Sequence, residues 1–272
     1  MRARIVFLGM QGDFSLVPPR RALLVAGRPE AAADFAGSHG VPVLEVGDLS
    51  DPAALAALDR LAPSLVCAAC FPRLLPRPWL ERPALGCLNI HPSLLSAYRG
   101  PAPLFWQFRA GEERTGVTLH LMDEGTDTGD IVAQAEVPFR DGIDGAEADR
   151  LMAEAGARLL LEALALPALP RRPQPHEGAS AQPRPSPADR RIPTTWSARR
   201  AFNFIRGAAN WGPFKVIAGG ERLHVHETTA FAADEVLGVP VSRTGREVRV
   251  QFNPGVVRLE AARKGAASSE RF

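Results

Sequence analysis

The chain has 272 residues, which suits one large domain or two small ones. Its apolar fraction of 46% is typical of a globular protein. Three cysteines are too few for a disulfide framework and predict a reducing compartment. The apolar core of the N-terminus, Ile5 to Leu8, is too short for a secretory signal or a membrane span, so we expect a cytoplasmic protein.

The net charge of +2 conceals an uneven distribution along the chain. Residues 1–170 carry 15 Lys and Arg against 21 Asp and Glu, a balance of −6, whereas residues 171–272 carry 17 against 9, a balance of +8. A basic C-terminal half would suit an enzyme with a polyanionic substrate. The alternative is that arginine is simply abundant here, because every basic residue except Lys215 and Lys264 is an arginine.

The first part of the chain alternates short apolar runs with amphipathic stretches, as α/β folds do. Arg4–Gly9 predicts a first strand, but the residues after it do not match the glycine fingerprint of a dinucleotide site. Residues 14–36 leave two interpretations open: a helix over 15–25, or a strand over 22–26 followed by a helix over 29–38. Further strands are predicted over 41–46 and 64–70, with a helix over 51–61 between them.

The residues with the clearest chemistry lie between Leu85 and Ile131. The apolar run Leu85–Ile90 leads directly into His91-Pro92, and the proline ends the strand because it has no N–H for the ladder. Asn89 and His91 are two residues apart, so their side chains share a face of the strand. They would therefore point together at the carboxyl edge of the sheet, where open α/β sheets bind ligands.

A second strand, Thr115–Met122, leads into an acidic loop over 123–130 with four acids and two glycines in eight residues. Such a loop can place a carboxylate with a perturbed pKa beside the histidine. Asn89, His91 and Asp127 would then suit acyl transfer to an amine: the amide and a protonated imidazole would stabilise an oxyanion, and Asp127 would accept or relay the proton of the amine. A solvated turn or a cation site is the alternative interpretation of the loop, and His120 is interpreted as a core histidine.

The rest of the chain predicts a second domain. A helix over 103–110, a strand over 131–139 and a long helix over 143–166 complete the first domain, over 1–166. Residues 166–193 contain eight prolines, so we predict an extended proline-rich linker over 167–193. A helix over 195–209 and strands over 214–218, 222–228, 236–241, 247–252 and 255–259 predict a small β-barrel of the OB kind over 194–272, a fold that often binds nucleic acids.

Four motifs resemble, in order and spacing, the formyltransferase family that uses 10-formyltetrahydrofolate. They are Asn89–Leu95, Tyr98-Arg99-Gly100, Thr115–Thr118 and Asp127-Thr128-Gly129. The resemblance implies a Rossmann-like, mostly parallel sheet with helices on both faces, followed by a C-terminal barrel. It also implies 10-formyltetrahydrofolate as co-substrate, no metal, and Asn89, His91 and Asp127 as the catalytic set. The residues it implies for folate binding are Phe71, Leu74, Leu75, Ile90, Ser93, Gly125, Thr126 and Asp130.

The resemblance leaves the formyl acceptor open. The basic C-terminal half favours methionyl-tRNA, with tRNA as the partner of that half. The region over 14–36 looks shorter than in members that act on tRNA, and a basic insertion that touches tRNA in those members is not found, which favours a small amine such as an amino sugar or a hydroxylamine-type amino acid. A catalytically inactive homologue that binds folate or nucleic acid is the third possibility.

Overall fold

The computed structural model describes residues 5–9, 22–26, 43–45, 48–71 and 73–260. The chain divides into two compact units. The first comprises Met1–Trp106, Glu113–Phe139 and Asp149–Arg184, and the second comprises Gln107–Glu112, Arg140–Ala148 and Pro185–Phe272. Within the described residues, no helix is both long enough and apolar enough to cross a membrane.

The first unit is built on a seven-stranded sheet. Its strands in chain order are β1 (Ile5–Gly9), β2 (Ala22–Ala26), β3 (Val43–Glu45), β4 (Leu65–Ala69), β5 (Cys87–His91), β6 (Arg114–Leu121) and β7 (Ile131–Pro138). They lie in the order β3-β2-β1-β4-β5-β6-β7. The pairs from β3 to β5 are parallel and the last two are antiparallel, which confirms the predicted mostly parallel sheet. A strand over 22–26 is therefore the correct interpretation of that region, and the helix over 29–38 lies outside the described residues.

Apolar side chains cover both faces of this sheet. Helices α1 (Pro52–Leu61) and α2 (Arg77–Glu81) cover one face, where Leu58 and Trp79 pack with Val66 of β4. Helix α4 (Gly145–Ala165), which follows α3 (Pro103–Ala110), covers the other face through Met152, Ala155 and Leu159. Successive residues of β4 face opposite sides, so its continuous apolar run fills both cores, as expected for a central parallel strand.

The proline-rich segment predicted as a linker is fastened to the first unit over residues 172–182, here called the strap. Arg172 and Ile131 exchange backbone hydrogen bonds of 2.8 and 3.0 Å. The N–H of Ser180 donates to the Ser96 carbonyl at 3.0 Å, and the N–H of Gln182 donates to the Arg99 carbonyl at 2.8 Å. The proline content predicted an extended segment but gave no sign of these contacts. Each contact is made by main-chain groups of residues that lie between the prolines, and such groups leave no pattern in the sequence.

The second unit combines one helix with two small sheets. Helix α5 (Ala198–Gly207), capped by the Ser197 side chain, buries Phe204 and Ile205. One sheet has three strands, β8 (Arg191–Ile192), β9 (Phe214–Ala218) and β10 (Glu221–Val225). The other has four, β11 (Thr228–Ala232), β12 (Val241–Thr244), β13 (Glu247–Gln251) and β14 (Val256–Glu260). The unit is a small β domain, as the sequence predicted.

Two strand predictions in this unit need correction. The single strand predicted over 222–228 is replaced by β10 and β11, separated by His226 and Glu227. The strand predicted over 236–241 is wrong, since β12 begins only at Val241. Val236 is 83% exposed and Val239 51% exposed, so this valine-rich run buries too little apolar surface to act as a core strand.

Candidate active site

Strand β5 carries two of the predicted site residues to the edge of the sheet. It includes His91, one residue beyond the predicted end, because Pro92 favours extended geometry in the residue before it. The antiparallel register with β6 places Asn89 opposite His120 and His91 opposite Thr118. His91 is almost fully buried, and its Nε2 lies 2.9 Å from the carbonyl oxygen of Tyr98.

The acidic loop brings Asp127 to the same point. Its Oδ1 accepts a hydrogen bond from Asn89 Nδ2 at 3.1 Å, and its Oδ2 lies 3.5 Å from His91 Nδ1. The backbone N–H of Gly100 donates to the same Oδ2 at 2.8 Å. The three residues predicted as a catalytic set are thus direct neighbours, although 38 positions separate Asn89 from Asp127.

The other acids of the loop have a local role. Asp123 Oδ1 accepts from the N–H of Gly125 at 3.0 Å and from the hydroxyl of Thr128 at 2.7 Å, which closes the turn. Asp123 and Glu124 are exposed, and only Asp127 turns its carboxylate towards the histidines. The loop therefore presents one carboxylate to the histidines, while Asp123 and Glu124 remain exposed to solvent.

His120 belongs to this cluster, and the sequence interpretation of it as a core histidine missed that. Its Nε2 lies 3.1 Å from Asn89 Nδ2 and 3.6 Å from Asp127 Oδ1, and its Nδ1 lies 2.7 Å from the Leu121 carbonyl oxygen. The Leu121 carbonyl can only accept, so Nδ1 carries a proton, and Nε2 faces the Asn89 amide and the Asp127 carboxylate together. The two hydrogens of Asn89 Nδ2 are then directed at His120 and Asp127, which fixes the orientation of the amide.

The pKa values of His91 and Asp127 are both lowered, but for different reasons. Burial lowers the pKa of His91, although Asp127 and the Tyr98 carbonyl act in the opposite direction. Burial alone would raise the pKa of Asp127, but the contact with His120, the proximity of His91 and the Gly100 N–H together lower it to about 2. At neutral pH the free protein thus holds a carboxylate beside a neutral imidazole, rather than the protonated His91 of the sequence argument.

The residues predicted to bind folate differ in how far they are exposed. Leu75 and Ser93 are fully buried, and the Ser93 hydroxyl donates to the Ala97 carbonyl at 2.7 Å, so neither presents its side chain to a ligand. Leu74 is 54% exposed beside the half-buried Phe71. Ile90 packs towards α4, where its Cγ2 would lie 2.4 Å from a Cβ at Gly156. Gly125 and Thr126 are exposed and Asp130 is half-buried.

An amide, an imidazole and a carboxylate lie together at the carboxyl edge of a mostly parallel sheet, and these are the groups that acyl transfer to an amine would need. Comparison with known proteins identifies the protein family. The model of the formyl transferase family matches residues 23–164. Since that match covers more than half of the chain, the protein belongs to the formyl transferase family.

Individual relatives agree with this assignment. The chain is 43% identical over 176 residues to the methionyl-tRNA formyltransferase of Syntrophus aciditrophicus, but this match spans 63% of the chain and only 56% of that protein. It is 33% identical to the methionyl-tRNA formyltransferase of Moorella thermoacetica over 96% of the chain and 89% of that protein. The fold resembles that of the sugar 3N-formyl transferase WlaRD, with a TM-score of 0.70 at 15% identity over 96% of the chain and 98% of that structure.

Proposed function

We propose that this protein transfers the formyl group of 10-formyltetrahydrofolate to a primary amine, the amino group of methionyl-tRNA. The observation that carries the proposal is the direct contact of Asn89 and Asp127, with His91 beside the same carboxylate. Family membership supports the formyl donor. The relatives named methionyl-tRNA formyltransferase support the acceptor.

The geometry supports a specific division of labour. The amine nitrogen attacks the formyl carbon, and Asn89 stabilises the resulting oxyanion by turning one Nδ2 hydrogen from Asp127 to the oxyanion, while His120 holds the other. Because His91 Nε2 faces the Tyr98 carbonyl, the neutral ring carries its proton there and leaves Nδ1 as an acceptor. The His91–Asp127 pair takes the proton that the amine loses and returns it to N10 of the folate as the bond from carbon to N10 breaks.

A basic face on the second unit supports a tRNA acceptor. Arg191 and His224 lie on either side of Lys215 across the β8-β9-β10 sheet, and Arg222 lies opposite Ile217 on the same face. These residues line a cavity of about 480 Å³. No ion pair joins Arg191, Lys215 or Arg222 to an acid within the described residues. Like charges on paired residues destabilise a sheet. Binding of an RNA phosphate backbone to this face would neutralise them and is therefore favoured.

The first test is release of tetrahydrofolate from 10-formyltetrahydrofolate by the purified protein. Charged initiator methionyl-tRNA and a panel of small amines, including amino sugars and hydroxylamine-type amino acids, are supplied in parallel. We expect release with methionyl-tRNA. Release only with a small amine would refute the acceptor and keep the formyl transfer. Folate binding without release by any amine would refute the enzyme and favour the inactive homologue.

The role of the basic face is tested by salt dependence. Replacing Lys215 and Arg222 by alanine should weaken tRNA binding and reduce the salt slope by about one for each lost phosphate contact. Arg150→Ala is the matched control, since Arg150 forms an exposed ion pair with Glu154 in the first unit. Equal salt slopes in the double variant and the control would contradict this assignment.

A further inference from the structure

The backbone of the catalytic loop is held in an unusual conformation. Asp127 has a φ of +54°, in the left-handed region that non-glycine residues rarely adopt. At Gly129 any side chain is excluded, because a Cβ would lie 2.0 Å from the Leu121 carbonyl oxygen. Residues in such conformations persist where the surroundings hold them, so the contacts around this loop determine where the carboxylate points.

Gln174 of the strap provides two of these contacts. Its Nε2 lies 2.8 Å from the carbonyl oxygen of Asp127 and 2.8 Å from that of Gly129. A side-chain amide has two hydrogens, so one group satisfies both carbonyls of the loop. Gln174 is only partly exposed, and it is the side chain through which the strap reaches the backbone of the catalytic aspartate.

The other end of the same amide holds the turn that binds the carboxylate. Gln174 Oε1 accepts hydrogen bonds from Arg99 Nε at 3.1 Å and from Arg99 Nη2 at 2.7 Å. The next residue is Gly100, whose N–H donates to Asp127 Oδ2. Gln174 thus connects the backbone of Asp127 with the turn that orients its side chain.

We infer that Gln174 is a positioning residue for formyl transfer, which fixes the Asp127 carboxylate against Asn89 and His91 by bonding the catalytic loop and the Arg99-Gly100 turn at once. The inference rests on the proposed function of this site. It assigns a catalytic consequence to a segment whose composition is that of a linker. Two substitutions separate the two halves of the contact: Gln174→Leu removes both, whereas Gln174→Glu keeps an acceptor for Arg99 and loses the donors to the carbonyls.

The kinetic test measures tetrahydrofolate release by both variants and by Glu177→Gln, an exposed position on the same strap. Displacing a catalytic group by about 1 Å can cost about 100-fold in rate, so we expect kcat to fall by about 10- to 100-fold in both Gln174 variants. The KM for the folate should change by less than about threefold, since the Gln174 amide is already occupied by the two loop carbonyls and by Arg99. Glu177→Gln should behave as wild type. Circular dichroism and thermal unfolding establish that each variant is folded.

A second measurement does not depend on turnover. The Asp127 carboxyl is followed by ¹³C NMR from pH 7 to pH 3, with its signal assigned by Asp127→Asn, and the rings of His91 and His120, which face it from β5 and β6, are followed in parallel. The wild-type carboxylate should stay ionised at pH 3. In Gln174→Leu the contact with the Gly100 N–H is weakened, so the pKa of Asp127 should rise towards its ordinary value.

The two measurements distinguish the inference from the proposed function. Reduced kcat together with a raised Asp127 pKa supports the inference. A kcat and a pKa equal to those of Glu177→Gln would overturn it while the proposed function stands. If the wild type releases no tetrahydrofolate with any amine, the proposed function fails, and the pKa of Asp127 in the variants alone decides whether Gln174 positions it. A Gln174→Glu variant as active as wild type would refute the part assigned to the two carbonyls.

Discussion

Replacing His120 by leucine tests whether this buried histidine serves the site. The substitution keeps a side chain of similar bulk on β6 but removes the acceptor that Asn89 Nδ2 meets at 3.1 Å and the donor that the Leu121 carbonyl meets at 2.7 Å. Leaving a buried hydrogen-bonding group without its partner costs about 1–3 kcal/mol. If this cost falls on the orientation of Asn89 in the transition state, kcat/KM should fall by about 5- to 160-fold.

The assay is tetrahydrofolate release at several acceptor concentrations, with His226→Leu as the control. His226 is exposed just after β10, so its loss should leave kcat/KM unchanged. Folate binding by His120→Leu, measured by calorimetry, should stay close to wild type, because His120 is buried and its ring nitrogens face Asn89 and the Leu121 carbonyl. A His120→Leu enzyme with kcat/KM within about twofold of wild type would refute the idea that His120 orients Asn89, since even the lower estimate of the lost hydrogen bond exceeds that change.

Three further predictions concern the Asp127 carboxylate and the Gly100 turn that contacts it. Asp127→Ala should reduce the rate of formyl transfer by orders of magnitude, and a nearly active variant would exclude Asp127 from proton transfer. Because the pKa of Asp127 is lowered from 3.8 to about 2, ionised Asp127 adds folding stability above pH 4 that is lost as the pH falls towards 2, about 2 kcal/mol in all. Denaturant unfolding between pH 6 and pH 3 should accordingly show a shallower pH dependence for Asp127→Asn than for wild type. Gly100→Ala should impair both folding and activity, since φ there is +112° and the new Cβ would lie 2.3 Å from the Gln182 carbonyl oxygen; an active variant with wild-type thermal stability would contradict the tight approach of the strap.

Much of the catalytic unit follows from local sequence signals. Continuous apolar runs predicted β4 and β5, and the spacing of Asn89 and His91 correctly indicated side chains that share one cluster at a strand end. The helix predicted over 51–61 is α1, which begins at Pro52 because the Asp51 side chain accepts from the N–H of Ala53 and caps it. These features depend on residues close together in the chain, which is why pattern alone could find them.

The part of the site that escaped prediction depends on pairing between distant residues. His120 enters the cluster because β5 and β6 are antiparallel in a register that sets it opposite Asn89, 31 positions away. The expected proximity of Asn89 and Asp127 does not fix this register, because Asp127 lies in the loop after β6. Gln174 is harder to find, because its contacts are with main-chain carbonyls and with one arginine, and neither leaves a pattern in a proline-rich segment.

The division of the chain into units has a consequence for dissecting the protein. A fragment ending at residue 166, where the sequence predicts the first domain to end, would lack the whole strap and with it every contact of Gln174. A fragment beginning at residue 194 would lack 107–112, whose Arg109 carbonyl accepts two hydrogen bonds from Arg200 of α5. Because the second unit includes 107–112 and 140–148 as well as the C-terminal part of the chain, transplanting it between relatives by a single cut would break hydrogen bonds inside it.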